Sequence, residues 1–444
     1  MGRPGCSIRR VTPAPSFAEA LTVWWRIGWL SFGGPAGQIA LMHRILVQEK
    51  GWLDEARYLH ALNYCMLLPG PEAQQLAVYA GWLLHGVKGG VVAGLLFILP
   101  GALVILALSW LYVLLGDLAL IEGLFFGLKA AVLAIVVQAL LRIAGRTLRG
   151  VLHSALALGG FVALFAFALP FPLVVLGAGV IGFAIAIVRP RQDAVAGETD
   201  GVDVAPRPGT FPAAMVCLGL WLGTLLALLG LLGPDDVFSH IGLFFSKLAL
   251  VSFGGAYAVL AYVAQQGVEH YQWLQPGEML DGLALAETTP GPLILVTQFV
   301  GFLGGLRHGG ADAPLLMATL AALLTTWVTF LPCFLWIFLG APHVEKLRSQ
   351  PALSAALAAI TAAVVGVIAN LALWFGLNVL FMEQVTLTGW GLDLRLPVPG
   401  SLDMAAAALV VMAFGLAFVL RIGVLALLGV SALLGCVWAL FLAA

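Results

Sequence analysis

Apolar runs near the length of a bilayer crossing alternate with short polar stretches along the whole chain. They predict helices near 17–42, 57–86, 89–116, 119–142, 150–169 and 171–188, then 209–233, 239–266, 277–306, 313–340, 352–378, 402–420 and 422–443. A hydrocarbon core about 30 Å thick takes ~20 helical residues to cross, and the alternation of barrel strands is absent. The pattern reads as an all-α polytopic membrane protein with about 13 transmembrane segments. A polar stretch at 189–208, rich in Arg, Asp, Gly and Pro, separates two halves and predicts a surface linker.

The halves repeat one another. Ser31-Phe32-Gly33-Gly34 recurs as Ser252-Phe253-Gly254-Gly255, Trp52-Leu53 as Trp273-Leu274, and Pro69-Gly70-Pro71 as Pro290-Gly291-Pro292, all at one constant offset (31 to 252, 52 to 273, 69 to 290). Seven predicted helices separate the two starts, an odd number, so the repeats are inverted in the membrane. The expected organisation is a tail at 1–16, a first repeat at 17–188, the linker at 189–208, a connecting helix within 209–238 and a second repeat at 239–444.

Composition agrees with this class. The chain is 61% hydrophobic and 10% charged, against about 25% charged in soluble domains. Its 53 glycines and 23 prolines suit close helix packing and broken helices. Five scattered cysteines and eight histidines without ligand spacing indicate neither disulfides nor a metal site, and no cofactor is expected. The net charge of −1 says nothing about partners. No ATP-binding motif is present.

With the N-terminus inside and every segment crossing, Lys88, Arg142, Arg146, Arg149, Arg189, Arg191 and Arg207 all fall on the cytoplasmic side, as the positive-inside rule requires. One loop does not fit: 43–57 lands outside although it carries Arg44, Lys50 and Arg57.

Each Pro-Gly-Pro stops one helix and starts another inside the membrane, because the residue before proline avoids the α region and proline suits a helix's first turn. The free N–H groups of the second half-helix, at 72–75 and at 293–296, form expected anion sites. Asn63, Gln74, Gln75, Thr288, Thr289, Thr297 and Gln298 add uncharged polar groups to the Pro-Gly-Pro backbones of Pro69, Gly70 and Pro71 and of Pro290, Gly291 and Pro292. The plainer reading is that these side chains cap backbone orphaned at a break. Arg26 and Lys247 occupy equivalent positions, and Lys129 sits mid-helix. A charge at that depth costs roughly 2.5–3.5 kcal/mol and marks a pathway or an ion pair; snorkelling is the alternative for Arg26. Glu72 and Glu287 flank the breaks and are candidates for proton coupling, or for structural caps. Gly33, Gly34, Gly254 and Gly255 interrupt the first helix of each repeat and offer hinges or close approach.

Inverted repeats with helices broken at matching positions are the mark of secondary transporters. The residues therefore point to an anion-selective transporter, with a passive channel of the same build as the rival. An intramembrane enzyme would need a paired catalytic set that the sequence lacks.

At Phe32-Gly33-Gly34-Pro35 with Gly37-Gln38-Ile39-Ala40 and His43, at Pro69 to Ala77 followed by Gly81-Trp82 and His85-Gly86, and at Phe253 to Tyr257 and Thr289 to Pro292, the chain resembles the chromate ion transporter family in its long two-domain form. The resemblance spans residues 17–443. It implies export of chromate, or of a similar dianion such as sulfate, across the bacterial inner membrane, conferring chromate resistance; the cytoplasmic N-terminus is the expectation of the charge sorting. The expected partners are the oxyanion, the lipid bilayer and, if the chain assembles, a second copy in a homodimer; nucleic acid is not among them.

Overall fold

The computed structural model describes residues 15–116, 118–188, 208–253, 255–340, 350–389 and 391–441. Helix dominates throughout, as the hydropathy predicts, and one antiparallel hairpin, β1 (Gln384–Gly389) with β2 (Leu392–Pro397), is the exception. Among the described residues, six helices are long and apolar enough to cross a membrane.

The first repeat begins with α1 (Phe17–Leu30) and α2 (Gly34–His43), which runs on into a π-helical turn at Arg44–Glu49. Then come α3 (Glu55–Cys65), α4 (Glu72–Leu115), α5 (Ala119–Thr147), α6 (Val151–Phe165) and α7 (Phe171–Val188). After α8 (Thr210–Leu231) the same order returns: α9 (Val237–Val251), α10 (Ala256–Ala264) with its own π-helical turn at Gln265–His270, and α11 (Pro276–Thr288). A short 3-10 turn at Leu293–Leu295 leads into α12 (Val296–His308), α13 (Pro314–Gly340), α14 (Pro351–Leu380), the hairpin, α15 (Met404–Phe414) and α16 (Val424–Phe441). Even the π-helical turns keep the offset of the matched blocks (44 to 265).

Four segments predicted as single crossings, 17–42, 57–86, 239–266 and 277–306, instead return to the face they enter from: Glu19, Lys50 and His85 lie together, the rings of His240 and Tyr271 are 5.5 Å apart, and Arg307 meets Glu278 at 2.7 Å. The first repeat also turns at His85 (φ −130°) and Gly86 (φ 63°), inside α4, where the sequence predicts the boundary between the 57–86 and 89–116 segments. A Cβ on Gly81 would lie 2.5 Å from that of Ala93, so the arms 72–84 and 87–115 lie side by side, packed through glycine. In the second repeat α12 and α13 pack the same way, with Gly305 against Ala321. The α1–α2 segment also folds back. Lys50 Nζ lies 2.8 Å from Glu19 Oε1, and His85 reaches the carbonyl of Pro15 at 2.8 Å, so residues 15, 19, 50 and 85 share one face. The reason is local: prolines and positive-φ glycines reverse the chain where a straight helix would have continued.

This rearrangement removes the misfit in the charge sorting. With the two early hairpins folded back, Arg44, Lys50 and Arg57 join Lys88, Arg142, Arg146 and Arg149 on the N-terminal face. Folding back two segments instead of one keeps the parity. The passing segments between repeat starts are the second arm of α4, then α5, α6, α7 and α8, again an odd number, and the repeats stay inverted.

At the centre, the second arm of α4 runs antiparallel to α13. Gly94 packs on Phe334, Gly90 on Phe338, and Trp110 donates to Thr319 Oγ1 at 3.0 Å. Each of the two has one internal proline, Pro100 and Pro332. From here on the repeats align at a second, slightly longer offset (100 to 332), and α5 and α14 keep it: Lys129-Ala130-Ala131-Val132 matches Thr361-Ala362-Ala363-Val364.

Candidate functional site

The hairpin tips of the two repeats meet inside the bundle and bond to each other crosswise. The amide of Gly70 donates to the carbonyl of Ser252 at 3.0 Å, and the amide of Gly291 to the carbonyl of Ser31 at 2.8 Å. These are the same bond written twice, since both donors and both acceptors are related by the first offset (70 to 291, 31 to 252). Gly70 (φ 123°) and Gly291 (φ 95°) hold conformations that L side chains avoid. Both tips are also tightly enclosed. A Cβ on Gly70 would come 2.7 Å from Gln75 Nε2 and 2.9 Å from Cys333 Sγ, and one on Gly101 would strike the Pro290 carbonyl.

A cavity of about 870 Å³ leads from the N-terminal face down to these tips. Its inner end is formed by Gly33, Gly34, Glu72, Gly255, Tyr257 and Glu287, and its mouth by Arg44, Gln48, Glu55, Arg142 and Arg146. It therefore collects residues from both repeats. The hydroxyl of Tyr257 donates to Glu287 Oε1 at 2.7 Å, the one polar anchor of that buried carboxyl among the described residues. Glu72 opens the first arm of α4 behind Pro71.

The residues singled out from the sequence distribute unevenly around this space. Gly33, Gly34, Gly255, Glu72 and Glu287 line it, whereas Gly254 lies outside the described residues. Gln74 and Gln75 are fully buried beside the first tip; Gln75 donates to the Pro69 carbonyl at 2.7 Å. Neither amide atom of Gln74 has a partner among the described residues. Gln298 donates to the Ala102 carbonyl at 3.0 Å, tying α12 to the second arm of α4. The hydroxyls of Thr288, Thr289 and Thr297 each cap a carbonyl three residues back. The expected N-terminal anion site at 293–296 is buried among apolar side chains and does not reach the cavity.

Three cations and one amide lie elsewhere. Arg26, half-exposed, pairs with Glu49 at 3.6 Å near the N-terminal face. Lys247 and Asn63 are exposed on the bundle surface. Lys129 belongs to a separate cavity of about 650 Å³ toward the opposite face. There its Nζ lies 3.3 Å from Asp281 Oδ1, and Asp281 also accepts from Tyr112 at 3.0 Å.

Sequence reasoning passed over Arg142, Arg146, Gln138 and Tyr257. The arginines entered it only as markers of membrane sidedness. The missed signal is the spacing 138, 142, 146 on α5, a polar stripe at i, i+4, i+8 on an otherwise apolar helix.

Applying the two offsets to this vestibule gives a second set of residues on the opposite face. Ala40, Arg44 and Gln48 map to Ala261, Gln265 and Glu269, and Gln138, Ala139 and Arg142 map to Asn370, Leu371 and Trp374. All six counterparts line one cavity, but its volume is only about 80 Å³, and Arg395 of β2 sits across it, 2.8 Å from Glu269. One vestibule is open and its symmetry mate is nearly closed.

Comparison with known proteins adds the family. A family model described as "Chromate transporter" matches residues 18–183 and 239–436. The chain is 29% identical over 414 residues to a probable chromate transport protein of Synechococcus elongatus, covering 90% of this chain and 97% of that protein. It is 30% identical over 360 residues to a chromate transport protein of Cupriavidus metallidurans (80% and 82% covered). With one of Pseudomonas aeruginosa it is 31% identical over 385 residues (85% and 83%). No solved structure matches the chain. Matched in both halves, the chain belongs to the chromate transporter family.

Proposed function

We propose that the chain is a secondary active transporter that exports chromate, or a dianion of the same shape, from the cytoplasm across the inner membrane. The observation that carries this reading is the vestibule that ends on the crossed tips of two inverted repeats while its symmetry mate is nearly closed. An exchange of conformations between the repeats would close the first and open the second, the logic of alternating access. The crowding of Lys and Arg on the N-terminal face supports a cytoplasmic N-terminus. The vestibule then opens to the cytoplasm, as an exporter requires for loading.

The oxyanion would lie at the inner end of the vestibule, against Gly33, Gly34 and Gly255, where the absence of side chains lets backbone approach the ligand. Gln74, whose amide atoms have no partner among the described residues, follows Glu72 two residues along at the first tip. Glu72 and Glu287 face the same space and are the candidates for proton exchange, because a carboxylate beside a dianion binding place favours protonation before loading.

The test is uptake of labelled chromate into inverted membrane vesicles, with and without an imposed proton gradient, for wild type, Glu72→Gln and Glu287→Gln. Gradient-driven accumulation in wild type, with variants that equilibrate chromate but no longer accumulate it, is the expected result. Wild-type flux that follows chromate concentration and voltage alone, indifferent to protons, would establish a channel. Equal movement of sulfate, with no preference for chromate, would reassign the substrate.

A further inference from the structure

The open vestibule and its closed counterpart are built from equivalent positions, so differences between them mark what one face needs and the other does not. Shape is set by the shared fold; charge is not. Arg44 is matched by Gln265, Arg142 by Trp374 and Arg146 by Asn378. At these three positions an arginine on the N-terminal face has a neutral residue on the opposite face.

The carboxylates weaken only one of the three. Arg44 lies 3.4 Å from Glu49, and Glu55 is engaged by His43 at 2.8 Å. Arg142 and Arg146 have no carboxylate in ion-pair contact among the described residues, although both line the vestibule. Glu72 and Glu287 sit deeper, at the tips. In the counterpart, the cation present is Arg395, which comes from the β-hairpin and is neutralised by Glu269, with Asp393 beside it.

We infer that Arg142 and Arg146 form an anion-collecting station at the N-terminal mouth, one helical turn apart on α5, that gives the transporter a higher affinity for its dianion on this face than on the other. The inference rests on the oxyanion reading above and adds to it the residues and the sidedness. A pair of unneutralised, solvent-exposed guanidinium groups at a concave mouth raises the local concentration of a dianion and pairs with its oxygens in bidentate fashion. On the far face the two positions are held by the uncharged Trp374 and Asn378, and the same dianion is not retained. Loading is favoured on one side and release on the other. A simple helix-end role for the arginines does not explain their alignment with Gln138 along the wall of the cavity.

The experiment uses the full chain in proteoliposomes, sorted by orientation through a tag on the N-terminal tail, with initial rates of chromate entry measured from each face. For wild type the half-saturating chromate concentration should be at least several-fold lower on the N-terminal face and should rise with salt more steeply there. Arg142→Trp with Arg146→Asn, the residues of the other repeat, should raise that value about tenfold or more and leave the far-face value and the maximal rate nearly unchanged. Arg142→Lys with Arg146→Lys should keep most of the wild-type affinity. Unchanged N-terminal-face affinity in the Trp/Asn variant, or an equal change on both faces, overturns the inference.

Equilibrium binding of chromate and of sulfate to the purified protein is measured in parallel. If wild type transports neither anion, the transport reading fails. The arginine inference is then decided by this binding alone: weaker anion binding in the Trp/Asn variant than in wild type supports it, and equal binding overturns it.

Discussion

The amide of Gly70 in the first repeat ends on the carbonyl of Ser252 in the second, at 3.0 Å, and the inverted copy of the bond joins Gly291 to Ser31 at 2.8 Å. Backbone groups inside a bilayer need partners, and an unsatisfied one costs several kcal/mol. A broken helix exposes such groups at its break. Here each break supplies what the other lacks, so the discontinuities are satisfied as a pair and the cavity can end on them without water having to fill the gap.

A crossing segment and a folded-back one give opposite expectations for a cysteine pair. Glu19→Cys with Lys50→Cys, in a chain freed of its native cysteines, should be joined readily by a short bismaleimide, since the native side chains reach each other at 2.8 Å. If the 17–42 segment crossed the bilayer, the two positions would be about 30 Å apart and no intramolecular bond would form. Gel mobility after cleavage at a protease site placed between residues 19 and 50, where only the cross-link holds the two pieces together, reads the outcome.

Gly101 is a second sensitive point, because an added methyl would strike the backbone carbonyl of Pro290, which cannot rotate away. Overpacking of this kind costs typically about 1–3 kcal/mol. Gly101→Ala should lower the thermal midpoint in detergent and abolish vectorial transport at normal protein level. Its counterpart, Cys333, already carries a side chain, so Cys333→Ala should be nearly silent in transport. A silent Gly101→Ala would mean that the second tip moves freely.

Gly70→Ala and Gly291→Ala test the tips themselves. With φ at 123° and 95°, any Cβ adds strain of order 1–3 kcal/mol. Gly70→Ala should be the worse of the two, since its Cβ also meets Cys333 Sγ and Gln75 Nε2 at 2.9 and 2.7 Å, against 3.1 Å to the nearest atom at Gly291. Thermal unfolding of both variants side by side gives the ranking.

The Lys129–Asp281 pair has equivalents that are uncharged or only weakly basic: Thr361 for Lys129 at the longer offset and His60 for Asp281 at the shorter one. Removing one member, as in Asp281→Asn, leaves an ammonium group partly buried without its carboxylate; fully buried pairs lose about 3–5 kcal/mol in this way, and the 27% exposure of the Lys129 side chain reduces the loss. The double replacement Lys129→Thr with Asp281→His should recover most of it. A double variant as unstable as Asp281→Asn would show that the pair is required by the local packing and not merely by charge balance.

Much of this architecture is legible in the residue types alone. Hydropathy gives the helices, and the three matched blocks give the duplication, because both are written in properties that physics reads directly. The fold-back of α1–α2 is not legible: the 17–42 segment has the length of a crossing, and nothing in Ser31-Phe32-Gly33-Gly34 says whether the chain bends or reverses. The one hint is the cationic loop at 43–57 on the wrong side of the count. Glu72, Glu287 and the Gly-Gly turns stand out because polar and flexible residues are conspicuous in an apolar run. Arg142 and Arg146 do not, because arginine near a helix end has an ordinary explanation in membrane sidedness, and only the packing of α5 against the hairpins places it on a cavity wall. Lys129 draws attention by its depth, yet its partner, Asp281, belongs to the other half of the chain, beyond what spacing can join.

The crosswise bonds also set how the gene can change. Each half of the duplication supplies the acceptor for the other's tip, so neither is a spare copy: a shift of the backbone at one Pro-Gly-Pro leaves a carbonyl of the opposite half without its donor. A chain cut in the linker between the halves should work only when both pieces are made together in one cell, each completing the other.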